Sequence, residues 1–142
     1  MYLLNYRQKM EDNKVLIQHK TEVKKSSVHG YGVFAKEDIK EGDIIEECHF
    51  MSAVPQAYPV MKRWSIFRYL FHYPRNLQGE ELAWPFGNGC VYNSSPTPNA
   101  DWGTDVINRL FVFVAIKDIK KGEEIFTDYE DSLKYCKQNN LI

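Results

Sequence analysis

Short apolar runs, broken by glycines and charged turns, recur along most of the chain and predict short strands rather than helices. Between residues 21 and 48, the apolar run 33–35 follows a glycine-flanked turn, and 44–45 restarts a strand after a charged segment. Further along, the run 110–116 (LFVFVAI) is unbroken and predicts a buried strand. The pattern therefore predicts a mainly β fold.

One pattern of strand, charged turn, glycine and strand occurs twice. Residues 35–45 (AKEDIKEGDII) and 115–125 (AIKDIKKGEEI) are identical at six of eleven positions. Gly42 and Gly122 lie at the bend of each copy, where glycine adopts a positive φ at low cost. Two copies are too few for a solenoid, so they predict two similar β-arches within one domain.

Helical spacing is found in a single segment. Its apolar residues predict a core-facing amphipathic helix over 60–72: Val60, Met61, Trp64, Phe67 and Phe71. The segment 74–103 is rich in Pro, Gly, Asn and Ser, and we expect an irregular loop with little regular structure there. The polar extension 1–20 is expected to contain only a short strand at 15–18.

Composition narrows the class of function. A chain of 142 residues can bury one core without metals or disulfides. Its net charge of −1 and its lack of a basic stripe argue against direct nucleic-acid binding. Residues 1–10 contain only a two-residue apolar run after Tyr2, too short for a signal-peptide core, and no window approaches the length of a membrane span. The scattered cysteines Cys48, Cys90 and Cys136 suggest no metal site and favour a reducing compartment. We expect an intracellular, cytoplasmic protein without membrane contact.

Three stretches could carry chemistry, although each alone has an ordinary explanation. Residues 30–32 (GYG) fit a plain turn and lack the full dinucleotide-binding pattern. Residues 92–99 (YNSSPTPN) place polar side chains between rigid prolines, as a surface turn also does. Residues 123–131 (EEIFTDYED) place a tyrosine among carboxylates, which fits an acidic strand end. The four histidines lie in unrelated contexts and indicate no hydrolase.

The order and spacing of these stretches resemble the SET-domain family. Residues 30–35 (GYGVFA), 93–99 (NSSPTPN) and 122–129 (GEEIFTDY) follow the family patterns G-x-G-x-F/L-A, N-H-S-x-x-P-N and G-E-E-L/I-x-x-x-Y. The resemblance covers about 21–132, leaving the extension 1–20 and a tail, 133–142. It looks closest to the minimal stand-alone SET proteins of viruses and bacteria.

The resemblance implies both a fold and a reaction. The fold would be the SET fold, a β-clip of small curved antiparallel sheets with a C-terminal pseudoknot and one short helix. The enzyme would be a protein-lysine N-methyltransferase that takes a methyl group from S-adenosyl-L-methionine. Its partner would be a lysine-containing and basic protein, such as a histone. A viral origin would allow a location in the host nucleus, and a homodimer is left open.

The resemblance also implies roles for individual residues. The methyl-donor pocket would be formed by Gly30, Tyr31, Gly32, Tyr92, Asn93, Ser94 and Tyr129. Asn93 would hold the amino-acid end of the donor, and the backbone of Ser94 would bind the adenine. Tyr129 would be the catalytic tyrosine, and the lysine channel would be lined by Tyr69, Thr127 and Tyr129.

Two positions depart from common family usage. Ser94 stands where the family usually has histidine. If that imidazole supports the pseudoknot by packing, its replacement by serine would lower the affinity for the cofactor. Thr127 stands two residues before Tyr129, where many relatives carry Phe or Tyr, and its small size leaves room for di- or trimethylation.

These residues suit an in-line displacement by a neutral amine. A dry channel lowers the lysine pKa from ~10.4 by disfavouring the cation, and alignment of the methyl supplies most of the acceleration. Carboxylates at 128, 130 and 131 predict an acidic rim for a basic substrate, although a solvated strand end explains them equally well. Two alternatives stay open: a catalytically weak or inactive SET-like peptide-binding module, and a sugar-binding domain of the same fold.

Overall fold

The computed structural model describes residues 13–57, 70–75 and 81–128, and within them the protein is mainly β. The described strands are β1 Thr21–Lys25, β2 Tyr31–Ala35, β3 Ile44–Cys48, β4 Phe50–Ala53, β5 Phe71–Tyr73, β6 Glu81–Pro85, β7 Asn93–Ser94, β8 Ala100–Asp105, β9 Leu110–Ala115 and β10 Glu124–Thr127. A single 3₁₀ turn, Pro55–Ala57, is the helical element of this part. No helix of the described segments is both long and apolar enough to cross a membrane.

The strands form three small sheets. The strand orders are β1-β2-β10-β7, β3-β9-β8 and β4-β6-β5. The pairs are antiparallel except for β10 and β7, which run parallel. Because β10 comes late in the chain yet lies between β2 and β7, the first sheet joins segments from both ends of the described sequence.

The predicted pair of β-arches is present, and the two arches bind each other reciprocally. The Gly42 N–H donates to the Ala115 carbonyl, and the Gly122 N–H donates to the Ala35 carbonyl, both at 2.8 Å. Both glycines have φ 89, as their place at the bend requires. A two-way bridge between Ile39 and Ile119 completes the contact. The duplicated sequence therefore forms a quasi-twofold contact inside the domain.

An aromatic cluster with rings from the second and third sheets forms one part of a core to which Val33 and Ile125 of the first sheet also belong. The Phe71 ring meets Trp102 and Phe111 edge to face, with ring centroids 5.1 and 5.4 Å apart. Phe113 and Tyr73 are also buried in this cluster. Aromatic side chains bury about 150–250 Å² each, so this cluster is a large part of the apolar surface removed from water. Most aromatic side chains of the described segments are thus buried and serve packing.

The predicted helix over 60–72 is wrong at its end. Phe71 begins β5, and Phe71 to Tyr73 pair with β6 from Ala83 to Glu81. All three residues of β5 are buried, so the segment is covered on both faces and lacks the alternation that marks a half-buried strand. Residues 58–69, which include the rest of the predicted helix, lie outside the described residues.

The predicted loop over 74–103 is wrong in part. It contains all of β6 and β7 and the start of β8. The run 82–84 is buried, and the stabilisation from its burial outweighs the tendency of the nearby Pro and Gly to interrupt a strand. Pro85 ends β6 opposite Phe50, and Gly103 lies inside β8. The irregular residues among those described in this segment are 74–75, 86–92 and 95–99.

The predicted short strand at 15–18 does not form a ladder. One backbone bond joins this segment to β3, from the Glu47 N–H to the Ile17 carbonyl at 2.8 Å. On the other side, the Ile17 N–H donates to the Glu47 carboxylate at 3.2 Å, and Lys14 pairs with the same carboxylate at 2.8 Å. A side chain therefore takes the place of the second ladder bond.

Candidate active site

β10 brings the three chemically interesting stretches together. It pairs antiparallel with β2, placing Glu124 opposite Phe34, and parallel with β7, placing Phe126 opposite Asn93. The turn at 30–32 leads directly into β2. The resemblance implied that these stretches meet, and the strand pairing produces that meeting.

The Asn93 side chain has a fixed orientation. Its Nδ2 donates to the carbonyls of His29 at 3.0 Å and Tyr31 at 3.3 Å, and to Glu124 Oε1 at 2.8 Å. All three partners are acceptors, so only the amide nitrogen can face them. The Asn93 Oδ1 has no hydrogen-bond partner among the described residues and is available as an acceptor beside the turn.

The two glycines of the turn serve different purposes. Gly30 has φ 50, and open space surrounds the position where a side chain would begin. Gly32 is buried, and a Cβ there would lie 2.1 Å from Glu124 Oε1 and 3.2 Å from Asn93 Nδ2. Gly30 is therefore needed for backbone conformation, and Gly32 for space. Tyr31, between them, is 67% exposed and presents its ring to solvent.

Asn99, the last residue of the second motif, holds β10 in place. Its Nδ2 donates to the Glu124 carbonyl at 2.9 Å, and its Oδ1 accepts from the Phe126 N–H at 2.8 Å. The Asn99 amide therefore forms the same pair of hydrogen bonds with the edge of β10 that the backbone of a neighbouring strand would form. These hydrogen bonds set the position of the residues that follow in the chain.

Thr127 and Ser94 lie opposite each other at the end of the parallel pair. Thr127 is fully buried, and its hydroxyl has no hydrogen-bond partner within the described segments. Its carbonyl accepts from the Ser95 N–H at 3.1 Å. Ser94 is exposed, so the strand pairing does not depend on the side chain at this position.

Tyr92 lies in the core rather than at the turn. Its ring is 2% exposed and stacks on Phe113, with centroids 4.5 Å apart, and its hydroxyl donates to Glu46 Oε1 at 2.8 Å. The backbone N–H of Asn88 donates to the other Glu46 oxygen at 2.9 Å. Burial raises the pKa of Glu46, and these hydrogen bonds partly offset the rise. The cofactor contact of Tyr92 stays a prediction.

Some predicted residues lie outside the described part of the chain. These are Tyr69 and Tyr129, together with Glu130 and Asp131 of the predicted acidic rim. Sequence reasoning did not assign roles to three residues that the structure places around the site: Ser26, Asn99 and Glu124. Asn99 and Glu124 belonged to the motifs quoted for the resemblance, which was the signal that could have found them.

Comparison with known proteins identifies the family. The SET domain family matches residues 30–130. A Schizosaccharomyces pombe histone-lysine N-methyltransferase specific for lysine 37 of histone H3 is 26% identical over 119 residues, covering 83% of this chain and 78% of that protein.

Two solved structures agree with this. A candidate histone methyltransferase from Plasmodium falciparum has a TM-score of 0.64 and 32% identity, over 80% of this chain and 95% of that one. A chain of the Polycomb Repressive Complex 2 from Chaetomium thermophilum, a humanized mutant bound to an inhibitor, has a TM-score of 0.61 and 28% identity, over 78% of this chain and 15% of that one.

The chain belongs to the SET-domain family, and its class is that of the protein-lysine N-methyltransferases. The mainly β SET fold predicted from the motifs is confirmed. The predicted pseudoknot involves the segment around Tyr129, outside the described residues, and stays a prediction.

Proposed function

We propose that this protein transfers a methyl group from S-adenosyl-L-methionine to the side-chain amine of a lysine in a basic protein, such as a histone. The observation that carries the proposal is the oriented Asn93 amide beside the Gly30–Gly32 turn. The relatives support the reaction class, and their printed names support a histone as the substrate.

The residues present fit the ammonium group at the amino-acid end of the donor. Asn93 Oδ1 is an unused acceptor, and an ammonium group is a donor that such an oxygen binds well. Gly30 allows the donor to approach the backbone because it carries no side chain and open space lies beside it. Ser94 is exposed, so the replacement of the usual family histidine leaves β7 paired with β10.

The chain's own contribution to the reaction is alignment in a dry channel. The bound donor supplies the electrophilic methyl group. β10 fixes Thr127 in a fully buried position, and Tyr129 follows two residues later. Exclusion of water lowers the pKa of an incoming lysine, so that more of it is neutral and nucleophilic. Small Thr127 supports the further proposal that more than one methyl group is added.

Charge supports a basic substrate. Asp128, Glu130 and Asp131 cluster in sequence around Tyr129 and would attract a lysine-rich segment. This attraction weakens with salt, so turnover on a basic peptide should fall as ionic strength rises.

The test is incubation with labelled donor and candidate basic proteins, followed by mass spectrometry of the modified lysines. Tyr129→Phe should lower turnover sharply, since the hydroxyl that orients the reacting groups is lost, while donor binding is retained. Tyr6→Phe, outside the matched region, is the matched control and should retain full activity. Near-normal turnover in Tyr129→Phe would refute the assigned role.

Calorimetry separates the enzyme from the peptide-binding alternative. The wild-type protein should bind S-adenosyl-L-methionine with a measurable heat. No binding at millimolar donor, combined with binding of a basic peptide, would favour a module that recognises peptides without methyl transfer.

A further inference from the structure

We propose that Glu124 is a positioning residue for the methyl donor: its carboxylate fixes the Asn93 amide and supplies the negative charge that faces the donor's ammonium group. This inference rests on the proposed function and adds a residue to the donor site. Glu124 touches Asn93 rather than the reacting atoms, so it acts through a neighbour and through its charge.

Both oxygens of the Glu124 carboxylate are held by neutral donors. Oε1 accepts from Asn93 Nδ2 at 2.8 Å, and Oε2 accepts from the Ser26 hydroxyl at 2.8 Å. Within the described segments, no Lys or Arg forms an ion pair with it. The half-buried negative charge is thus fixed in place without a cationic partner from these residues.

The second glycine of the turn makes room for this carboxylate. A Cβ on Gly32 would lie 2.1 Å from Oε1 and 2.9 Å from Cδ of Glu124, far inside contact distance. Gly32 does not have a positive φ, so its backbone would accept another residue. A larger residue at position 32 would therefore displace the Glu124 carboxylate from its hydrogen bonds to Asn93 and Ser26.

A cation bound to Asn93 would come within reach of that charge. An ammonium accepted by Asn93 Oδ1 would lie on the order of 6 Å from the carboxylate, across one amide group and two hydrogen bonds. Opposite charges at such a distance attract appreciably in a partly dry site. The same carboxylate thus orients the amide and favours a positively charged ligand beyond it.

Glu124→Gln isolates the charge. The glutamine Oε1 can still accept from Asn93, and its Nε2 can donate to the Ser26 oxygen, so both contacts survive. We expect the dissociation constant for S-adenosyl-L-methionine to rise about tenfold, which corresponds to ~1.4 kcal/mol. Affinity for 5′-methylthioadenosine, which lacks the amino-acid end, should stay unchanged. In turnover assays the KM for the donor should rise while kcat changes little.

The matched control is Glu123→Gln, which removes a neighbouring exposed carboxylate whose partner is the Lys120 N–H at 3.1 Å. It should leave both affinities unchanged. Equal weakening for both ligands in Glu124→Gln would show a merely structural role and overturn the inference, as would an unchanged affinity for S-adenosyl-L-methionine. Wild-type protein that binds no donor would instead overturn the proposed function and this inference together.

A double-mutant cycle tests the steric part without any ligand. Gly32→Ala should lower the thermal midpoint, because the new methyl group overlaps the Glu124 carboxylate. In a Glu124→Ala background the same substitution should cost much less. Additive effects of the two substitutions would contradict the assigned packing.

Discussion

At the scale of single residues, Thr127 has an unusual environment. Its side chain is fully buried, yet its hydroxyl has no partner in the part of the chain that the structure describes. An unpaired buried hydroxyl costs about 1–3 kcal/mol. We therefore expect this hydroxyl to have a partner outside the described residues or in the bound substrate.

Thr127→Val separates the two roles of this residue. Valine has nearly the same shape and no hydroxyl, so the free energy of unfolding should stay unchanged or rise by about 1 kcal/mol. Methyl transfer should slow if the hydroxyl binds the incoming amine. Chemical denaturation and turnover should be measured on the same preparation; a large loss of stability would show that the hydroxyl is paired within the protein.

The motifs predicted part of the site, and long-range contacts supply the rest. Asn93 and the turn at 30–32 meet as the resemblance implied. The bond between Ser26 and Glu124 joins residues 98 positions apart, and the bond between Tyr92 and Glu46 spans 46. No local pattern encodes such pairs, because the sequence around one residue does not identify its distant partner.

At the scale of elements, the two arches contain equivalent glycines whose substitutions can be compared directly. Gly42 and Gly122 share φ 89, and no atom lies within 4 Å of an added Cβ at either site. Alanine at either position therefore meets no clash and incurs only the cost of a left-handed backbone, about 1–2 kcal/mol. Gly42→Ala and Gly122→Ala should destabilise the fold to a similar extent in chemical denaturation.

Gly103→Ala is the control for this pair. Gly103 also has open space beside it but has no positive φ, and it lies in β8. The substitution should be close to neutral. If Gly103→Ala lowered the free energy of unfolding as much as the arch substitutions do, backbone conformation would not explain the losses at Gly42 and Gly122.

Solvent exposure decides which elements can be predicted from the sequence. Elements with exposed turns or one exposed face leave a pattern, and strands buried on both faces do not. The arches were predictable because their glycines and charged turns face solvent and repeat in sequence. The strands β5 and β6 were not, because burial on both faces removes the alternation by which strands are recognised. β7, with two residues, is defined by its pairing with β10 and has no pattern of its own.

At the scale of the whole molecule, Glu46 links stability to pH. The residue is 1% exposed, and burial raises its pKa above the ordinary value of 4.5. Between the unfolded and folded pKa values the folded protein binds more protons, so its stability falls as pH rises through that window. Above the folded pKa the cost of the buried charge is fully present.

Glu46→Gln should remove this dependence. Its Oε1 can accept from Asn88 and its Nε2 can donate to the Tyr92 oxygen, so the contacts persist without a titrating group. The difference in unfolding free energy between variant and wild type should move in favour of the variant as pH rises from about 4.5. A difference that stays constant with pH would contradict a raised pKa at Glu46.

The central place of β10 in the first sheet also constrains how the enzyme is made. On a ribosome, the turn at 30–32, the Asn93 loop and the strands of the other two sheets emerge first, while the strand that joins them is still unsynthesised. Until residues 124–127 insert between β2 and β7, Asn93 has no carboxylate partner, and β7 has no neighbouring strand to pair with. A chain that lacks residues 124–127 therefore has neither the Asn93–Glu124 hydrogen bond nor a strand for β7 to pair with.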